Sequence, residues 1–237
     1  MRELTCKLGK QALNLALEQR TVILCDNEEE AQRMAAALQS AGGTLIDGSE
    51  VARGTVAEQL PRRTDSERVS RIRSALRLDE DVLSWRLRDS GPLQRMVAMT
   101  LLALVREQDL LVFEFSELAG SPFDIAHACA HMRRVALEFP VTLVAVIADP
   151  ALISSAGAHL LVIAQGQLVE AGAVGSTLAH PQSDALLQRL EATPIPSPMA
   201  MQMRRVQRVT TTPINYAHTT IIQLPTQESI ALAGGDE

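Results

Sequence analysis

The stretch ILCDNEEEAQRM, Ile23 to Met34, sets Asp26, Glu28, Glu29 and Glu30 where an apolar strand runs into a helix. A helix start carries unpaired N–H groups and a partial positive charge, so a strand, short loop and helix in succession can hold a phosphate. Here Glu28, Glu29 and Glu30 bring negative charge to that point from within, each contributing about 0.3–1 kcal/mol. The same charges repel an incoming phosphate: one unit pair at about 5 Å costs roughly 0.8 kcal/mol even in water. Asn27, with Glu30 three residues later, has the spacing of a capping box. The chemistry expected of the stretch is a helix start that caps itself.

Other side chains with chemical potential are more scattered. Glu114 closes the apolar run LLVFEF, as a residual metal ligand or as a polar residue at a strand's exit; with no phosphate to bridge, the second reading is preferred. Glu117 lies further along the same segment. His127 and His131 stand four apart on a predicted helix, which could align two metal ligands, but no third ligand accompanies them and the expectation is no metal site. Cys25 ends an apolar run and reads as a small core residue. Arg204, Arg205 and Arg208 are the candidate partner-binding residues, for an acidic groove or acidic lipid, against ordinary solvation of a tail.

The elements that must position these groups follow from hydrophobic pattern. Thr21–Cys25, Asp109–Phe115, Val141–Ile147 and His159–Ala164 are short and apolar, as strands buried on both faces are. Helical spacing follows the first of them (Ala31, Met34, Ala35, Leu38) and precedes the third (Ile125, Ala128, Cys129, Met132, Val135). VIAQGQLVEAG, Val162 to Gly172, predicts a hairpin turning at Gln165-Gly166. Val69, Ile72 and Leu76 predict an amphipathic helix inside the arginine-rich stretch Arg53 to Arg88, whose arginines are mixed with acids as on an exposed face. Met96–Val105 is apolar all round and predicts a buried helix. Alternating strands and helices imply an α/β layered domain with a largely parallel sheet. TPIPSP, Thr193 to Pro198, reads as a linker to a tail of residues 194–237.

Bulk composition narrows the functional classes. In 237 residues, 46% are hydrophobic and 21% charged, enough for one substantial core or one domain with a tail. A formal charge of −6 and only 3% aromatic residues disfavour nucleic-acid binding. The odd cysteine set, Cys6, Cys25 and Cys129, fits a reducing compartment. No apolar run reaches the length of a membrane span, and the first ten residues lack a signal peptide's apolar centre. A cytoplasmic protein is expected, peripheral at the inner membrane through partners.

From Asp109 onward, the order of features resembles an ATP-binding cassette (ABC) ATPase. DLLVFEFSELAG stands where that family has a strand ending in Asp-Glu, VTLVAVIADP resembles the strand before its switch His, and AHLLVIAQGQLVEAGAV resembles its hairpin. LAHPQSDALLQRLEATPIPSP is similar to the end of oligopeptide- and dipeptide-importer ATPases. LRDSGPLQRMVAM resembles the signature segment, and residues 12–51 resemble the strand, P-loop, helix and "DG" turn. The resemblance covers roughly residues 1–195 and is weakest from Arg53 to Arg88. It implies a P-loop NTPase-like layered sheet over residues 1–193, a reduced helical subdomain at about 54–106 and an extended C-terminal tail.

Position by position, the resemblance also implies lost chemistry. Asp26 and Ala31 fall at the P-loop glycines, Gln32 at its Lys and Arg33 at its Ser/Thr. Glu114 falls at the magnesium-linked Asp, Phe115 at the catalytic Glu, and Ala148 at the switch His before Asp149. Asp89 replaces the signature Ser ahead of Ser90-Gly91. The expectation is a pseudo-ATPase, not an enzyme, with no catalytic residue, cofactor or metal. It would be a structural or regulatory subunit of a membrane transport or export complex, partnered by a permease or other subunits of that complex, with a second ABC-like chain as a further candidate partner. The alternatives are a cytoplasmic regulatory or adaptor protein reusing the fold, and a weak ATPase with unconventional residues. A receiver domain, suggested by Thr21 to Gly43 alone, lacks its phosphorylated Asp one βα unit later.

Overall fold

The computed structural model describes residues 2–8, 11–49, 53–118 and 120–192, all within one compact unit, Met1–Ile195. Residues 193–237, with the predicted linker, the tail and Arg204, Arg205 and Arg208, lie outside the described residues.

A six-stranded sheet organises the unit. In spatial order its strands are β4 (Thr44–Ile46), β5 (Leu110–Glu114), β6 (Thr142–Ile147), β3 (Arg20–Leu24), β7 (His159–Ala164) and β8 (Gln167–Ala173). All neighbours pair in parallel except β7 and β8, which form an antiparallel hairpin. The four apolar runs read from sequence are β3, β5, β6 and β7, each within a residue of its expected ends. The hairpin turns at Gln165 and Gly166, whose φ angles of 51° and 74° give the left-handed pair of a type I′ turn.

Because side chains alternate across a strand, each strand feeds two cores. Ile23, Val112, Val144, Val146, Leu161 and Ile163 face helix α1 (Glu28–Ser40) and an N-terminal hairpin of β1 (Arg2–Leu8) and β2 (Gln11–Leu17). The intervening residues Val22, Leu24, Leu111, Phe113, Leu143, Ala145 and Leu160 face the other way, into a larger core with α2 (Ser66–Ala75), α3 (Pro92–Val105), α4 (Pro122–Glu138) and the short α5 (Ile153–Ala156). Two further helices, α6 (Val174–Ala179) and α7 (Asp184–Ala192), follow the sheet.

The hairpin of β1 and β2 was not expected from the sequence. Its apolar side chains alternate with Glu3, Thr5 and Lys7, and Cys6, Leu15 and Leu17 are its buried face. The predicted helices are present. Ala31, Met34, Ala35 and Leu38 are buried on α1, Val69 and Ile72 on α2, and Leu101 to Val105 on α3. Ile125 is only half-buried, at the exposed end of α4.

His131 is the exception within α4: it is buried, and its Nε2 has no hydrogen-bond partner. Burial, helped by the nearby Arg134 charge, pulls its pKa down from 6.5 to about 4. Between those values the unfolded chain binds a proton that the folded chain does not. Stability therefore falls as pH drops from 6.5 to 4, by about 3 kcal/mol at 1.36 kcal/mol per pKa unit. Urea unfolding across this range will show that loss in the wild type and a flatter profile in His131→Leu. Gly157 packs its backbone on Val22, where an added Cβ would lie 2.9 Å from both the Val22 nitrogen and Cβ. Gly157→Ala will lower stability by about 1–3 kcal/mol through this overlap, read in the same measurement at pH 7.

Candidate functional site

The carboxyl ends of the parallel strands share one edge of the sheet, where ligands bind in open α/β folds. At β3, three residues, Cys25, Asp26 and Asn27, separate the strand from α1. Asn27 caps the helix, its Oδ1 accepting from the Glu30 N–H at 2.9 Å. The return half of the predicted capping box goes elsewhere. Glu30 is buried, and its Oε2 accepts from the Asp26 N–H at 2.8 Å while Oε1 accepts from the Gly166 N–H at 3.0 Å.

Asp26 extends this link. Its Oδ2 accepts from the Gln165 N–H at 2.7 Å, and its Oδ1 pairs with the Arg189 guanidinium of α7. Arg189 also donates to the carbonyls of Ile163 at 2.9 Å and Leu24 at 3.4 Å. Two carboxylates from the β3–α1 junction thus hold both N–H groups of the β7–β8 turn. Glu28 and Glu29 take no part in this: both are exposed, and Glu29 lies 3.9 Å from Arg33. Of the three glutamates expected to complement the helix start, Glu30 alone turns back to its entrance, because only its position faces the turn.

A cleft of about 690 Å³ opens beside this network, with Asp26, Asn27, Glu30, Arg33, Gly166 and Lys7 in its wall. Cys25, just before Asp26, is buried, its thiol pushed up to about 12 by burial and by the Glu30 charge. Ala31, Gln32 and Arg33 lie within α1 rather than in the loop before it; Ala31 is buried, and Gln32 and Arg33 are exposed.

At β5, Glu114 is buried and bound by its own neighbour: Ser116 donates its N–H at 2.9 Å and its hydroxyl at 2.6 Å. Burial raises its pKa, which the Ser116 bonds partly offset and the Asp47 charge reinforces. Phe115 is buried in the larger core, and Glu117 is exposed in the turn that follows. At β6, Ala148 is half-buried, and Asp149 caps a short turn by accepting from the Ala151 N–H at 2.9 Å. Asp89, Ser90 and Gly91 lead into α3, where Gln94 accepts from the Gly91 N–H at 3.1 Å. Arg95 fastens this entry by donating to the carbonyls of Gly48 and, at 2.8 Å, Ser90.

His127 and His131 sit in different surroundings. His127 lies against Phe123 with ring centroids 4.0 Å apart and the rings tilted by 50°, whereas His131 is buried in the protein. Among the described residues no group of three or more His, Cys, Asp or Glu could hold a metal. Arg189 is the site residue that sequence reasoning missed. Nothing in the surrounding LLQRLEA marks it, since its partners are 165 and 26 residues away along the chain.

No protein-family model matches the chain. It is 33% identical over 91 residues to the methionine import ATP-binding protein MetN of Cutibacterium acnes, a match covering 38% of this chain and 25% of that protein. The match spans only a quarter of that relative's length. Among solved structures, cbiO1 from Clostridium perfringens, part of the ABC transporter complex cbiONQ, superposes with a TM-score of 0.61 at 11% identity, covering 87% of this chain and 96% of its own. The ADP conformation of MJ1267, an ATP-binding cassette of an ABC transporter, gives a TM-score of 0.58 at 13% identity over 81% of this chain and all of its own. The chain has the ATP-binding cassette fold. None of these relatives is named as an oligopeptide or dipeptide importer. Among the described residues of the cassette, no helix is long and apolar enough to cross a membrane.

The carboxylate link at the mouth of α1 has a measurable strength. Glu30→Ala leaves the Asp26 and Gly166 N–H groups without their acceptor in a partly buried place. Charge-assisted bonds of this kind contribute about 1.5–3 kcal/mol. The expected loss is of that order by urea unfolding, with amide exchange at Gly166 and Gln165 accelerated before the rest of the sheet.

Proposed function

We propose that this chain is a non-catalytic cassette, a pseudo-ATPase serving as a structural or regulatory subunit of a membrane transport complex. The observation that carries this reading is Glu30, whose carboxylate accepts from the Asp26 N–H just before α1 and from the Gly166 N–H of the β7–β8 turn, and so places a fixed negative charge beside the entrance of α1. In a working phosphate loop, glycines let the backbone wrap the phosphates, a Lys neutralises them and a hydroxyl holds magnesium. Three residues between β3 and α1 are too few to wrap a phosphate chain, and Gln32 and Arg33, aligned with the Lys and the Ser/Thr, sit past the first turn of the helix. With Glu30 and Asp26 already at the entrance, an incoming polyphosphate meets two fixed negative charges in surroundings that screen them less than water does.

The remaining aligned positions point the same way. Phe115 has no group to orient a water, Ala148 has no proton to exchange, and Glu114 has its two oxygens engaged by Ser116. What such a cassette keeps is shape: a surface for a permease and a face for a second cassette-like chain. The transport assignment is supported by the cassette fold and by the naming of MetN as an import protein and of cbiO1 as part of a transporter complex.

Calorimetric titration of the full chain with ATP and magnesium tests the first half of the proposal. No heat of binding is expected up to about 1 mM nucleotide, a ceiling of some 4 kcal/mol in binding energy, with no phosphate release above buffer. Binding at tens of micromolar, or turnover abolished by a Glu114 substitution, would establish the weak-ATPase alternative instead. Affinity capture from detergent-solubilised native cells tests the second half. A permease or active cassette in fixed ratio supports the transport subunit, and recovery of soluble partners alone would make the chain an adaptor.

A further inference from the structure

At the amino edge of the sheet, the far end of β3 from the α1 entrance, the strand begins with Arg20. Its backbone is fixed by pairing with Leu143 of β6 and by a carbonyl that accepts from the Ala158 N–H at 2.9 Å. Side chains two apart share a strand face, so Arg20 points the same way as Val22 and Leu24, to the side covered by α4 and α5. Gln19, next to it, donates to the Ala136 carbonyl of α4 at 2.8 Å, which sets that strand end against the second half of the helix. Arg133 lies one turn before Ala136, and Cys129 one turn before Arg133. Burial raises the pKa of the buried Cys129 thiol, and a hydrogen bond with Ser155 of α5, the Arg133 charge and the Arg20 charge each offset part of that rise. The two guanidiniums thus converge on the place where α4 meets α5.

Positive charge is gathered there without its complement. Among the described residues, neither Arg20 nor Arg133 makes an ion pair or a side-chain hydrogen bond. The Arg20 Nε is closed off from solvent and has no acceptor. Burial, then the Arg133 charge, lowers the Arg20 pKa; Cys129 opposes them, and no carboxylate is among the groups that act on it. Arg68 shows the contrast: its Nε is also closed off, but its guanidinium pairs with Glu107 and donates to the Leu104 carbonyl at 3.1 Å. A shielded donor without an acceptor and two like charges brought together are each unfavourable. One anion between the guanidiniums would remove both penalties.

We propose that Arg20 and Arg133 form a binding site for a phosphate group, held between the start of β3 and the second half of α4. Two guanidiniums reaching one ligand from a strand and from a helix need acceptor oxygens in more than one direction. A tetrahedral phosphate offers them, whereas a carboxylate sets two oxygens in a single plane and suits one guanidinium. Its charge, about −1.5 to −2 at neutral pH, also matches two arginines. Arg20 is the fixed half of the site, and Arg133, exposed at the rim, is free to close on the ligand. The site does not depend on whether the α1 entrance takes a nucleotide.

Calorimetric titration of the full chain with inorganic phosphate in Tris chloride tests the proposal. One phosphate per chain is expected, with a dissociation constant below about 1 mM. Arg20→Gln and Arg133→Gln will each weaken binding about tenfold or more, and Arg20→Lys, which keeps the charge without the fork, will recover part of it. Arg71→Gln, at an exposed position of α2, will change nothing. In the wild type, the Arg20 Hε resonance, assigned by its absence from Arg20→Gln, will move as phosphate is added. Sulfate will compete and acetate will not. Pelleting with phosphatidic acid vesicles, abolished by both glutamine variants, would identify the phosphate as a lipid headgroup, and phosphate binding without pelleting would identify a free phosphate. No binding of phosphate or vesicles up to about 10 mM phosphate overturns the proposal. Binding that both glutamine variants retain also overturns it, by placing the ion elsewhere, and acetate binding as tight as phosphate overturns the choice of ligand.

Discussion

The Glu30 carboxylate, shared between the N–H groups of Asp26 and Gly166, joins the first turn of α1 to the tip of the β7–β8 hairpin. Asp26 doubles the join through Gln165, and Arg189 returns charge to Asp26 while binding carbonyls on both β3 and β7. The positions of the β3–α1 loop, the hairpin turn and α7 are therefore mutually dependent. Each of these carboxylates is matched to backbone donors of the loop before α1 and of the hairpin turn. In the first turn of α1 itself, the Glu30 N–H is bound by the Asn27 side chain.

That arrangement presupposes a rigid sheet. Strands β3, β5, β6 and β7 are apolar on both faces because a hairpin and α1 cover one side and α2 to α5 the other. On strands apolar on both faces, register is set by side-chain size and close packing, since a shift by one residue would exchange the two cores side chain for side chain. The loops at the strands' carboxyl ends inherit this precision. Glu114 and Ser116, Asp149 and Ala151, and Asn27 and Glu30 each close locally on a loop that the sheet has already placed. The cassette fold is thus maintained by core packing, which does not require the nucleotide chemistry that the fold hosts elsewhere.

Helix α4 shows the same economy from outside. Its inner face is taken up by core contacts, while Phe123 and Leu137 remain in water on the outer one. Scattered apolar residues on a surface are ordinary, and these two lie outside the core that holds the helix.

Much of the cassette was legible in the sequence. Strands buried on both faces write themselves as continuous apolar runs, and α1, α2 and α3 write themselves as helical spacing. Gln165-Gly166 could be read as a turn because the hairpin's chemistry is local. The β1–β2 hairpin was missed because its apolar residues alternate with Glu3, Thr5 and Lys7, a weaker signal than an unbroken run. The acidic helix start was visible, and Asn27 capped it as expected, but the division of labour among Glu28, Glu29 and Glu30 was not. Glu30 is distinguished by an N–H that lies 136 residues further along the chain, and Asp26 by a guanidinium 163 residues away. Local pattern determines which segments become strands, helices and turns, because propensity and burial act over a few residues. Which carboxylate meets which donor depends on distances across the folded sheet, and those exist only after strands remote in sequence have become neighbours.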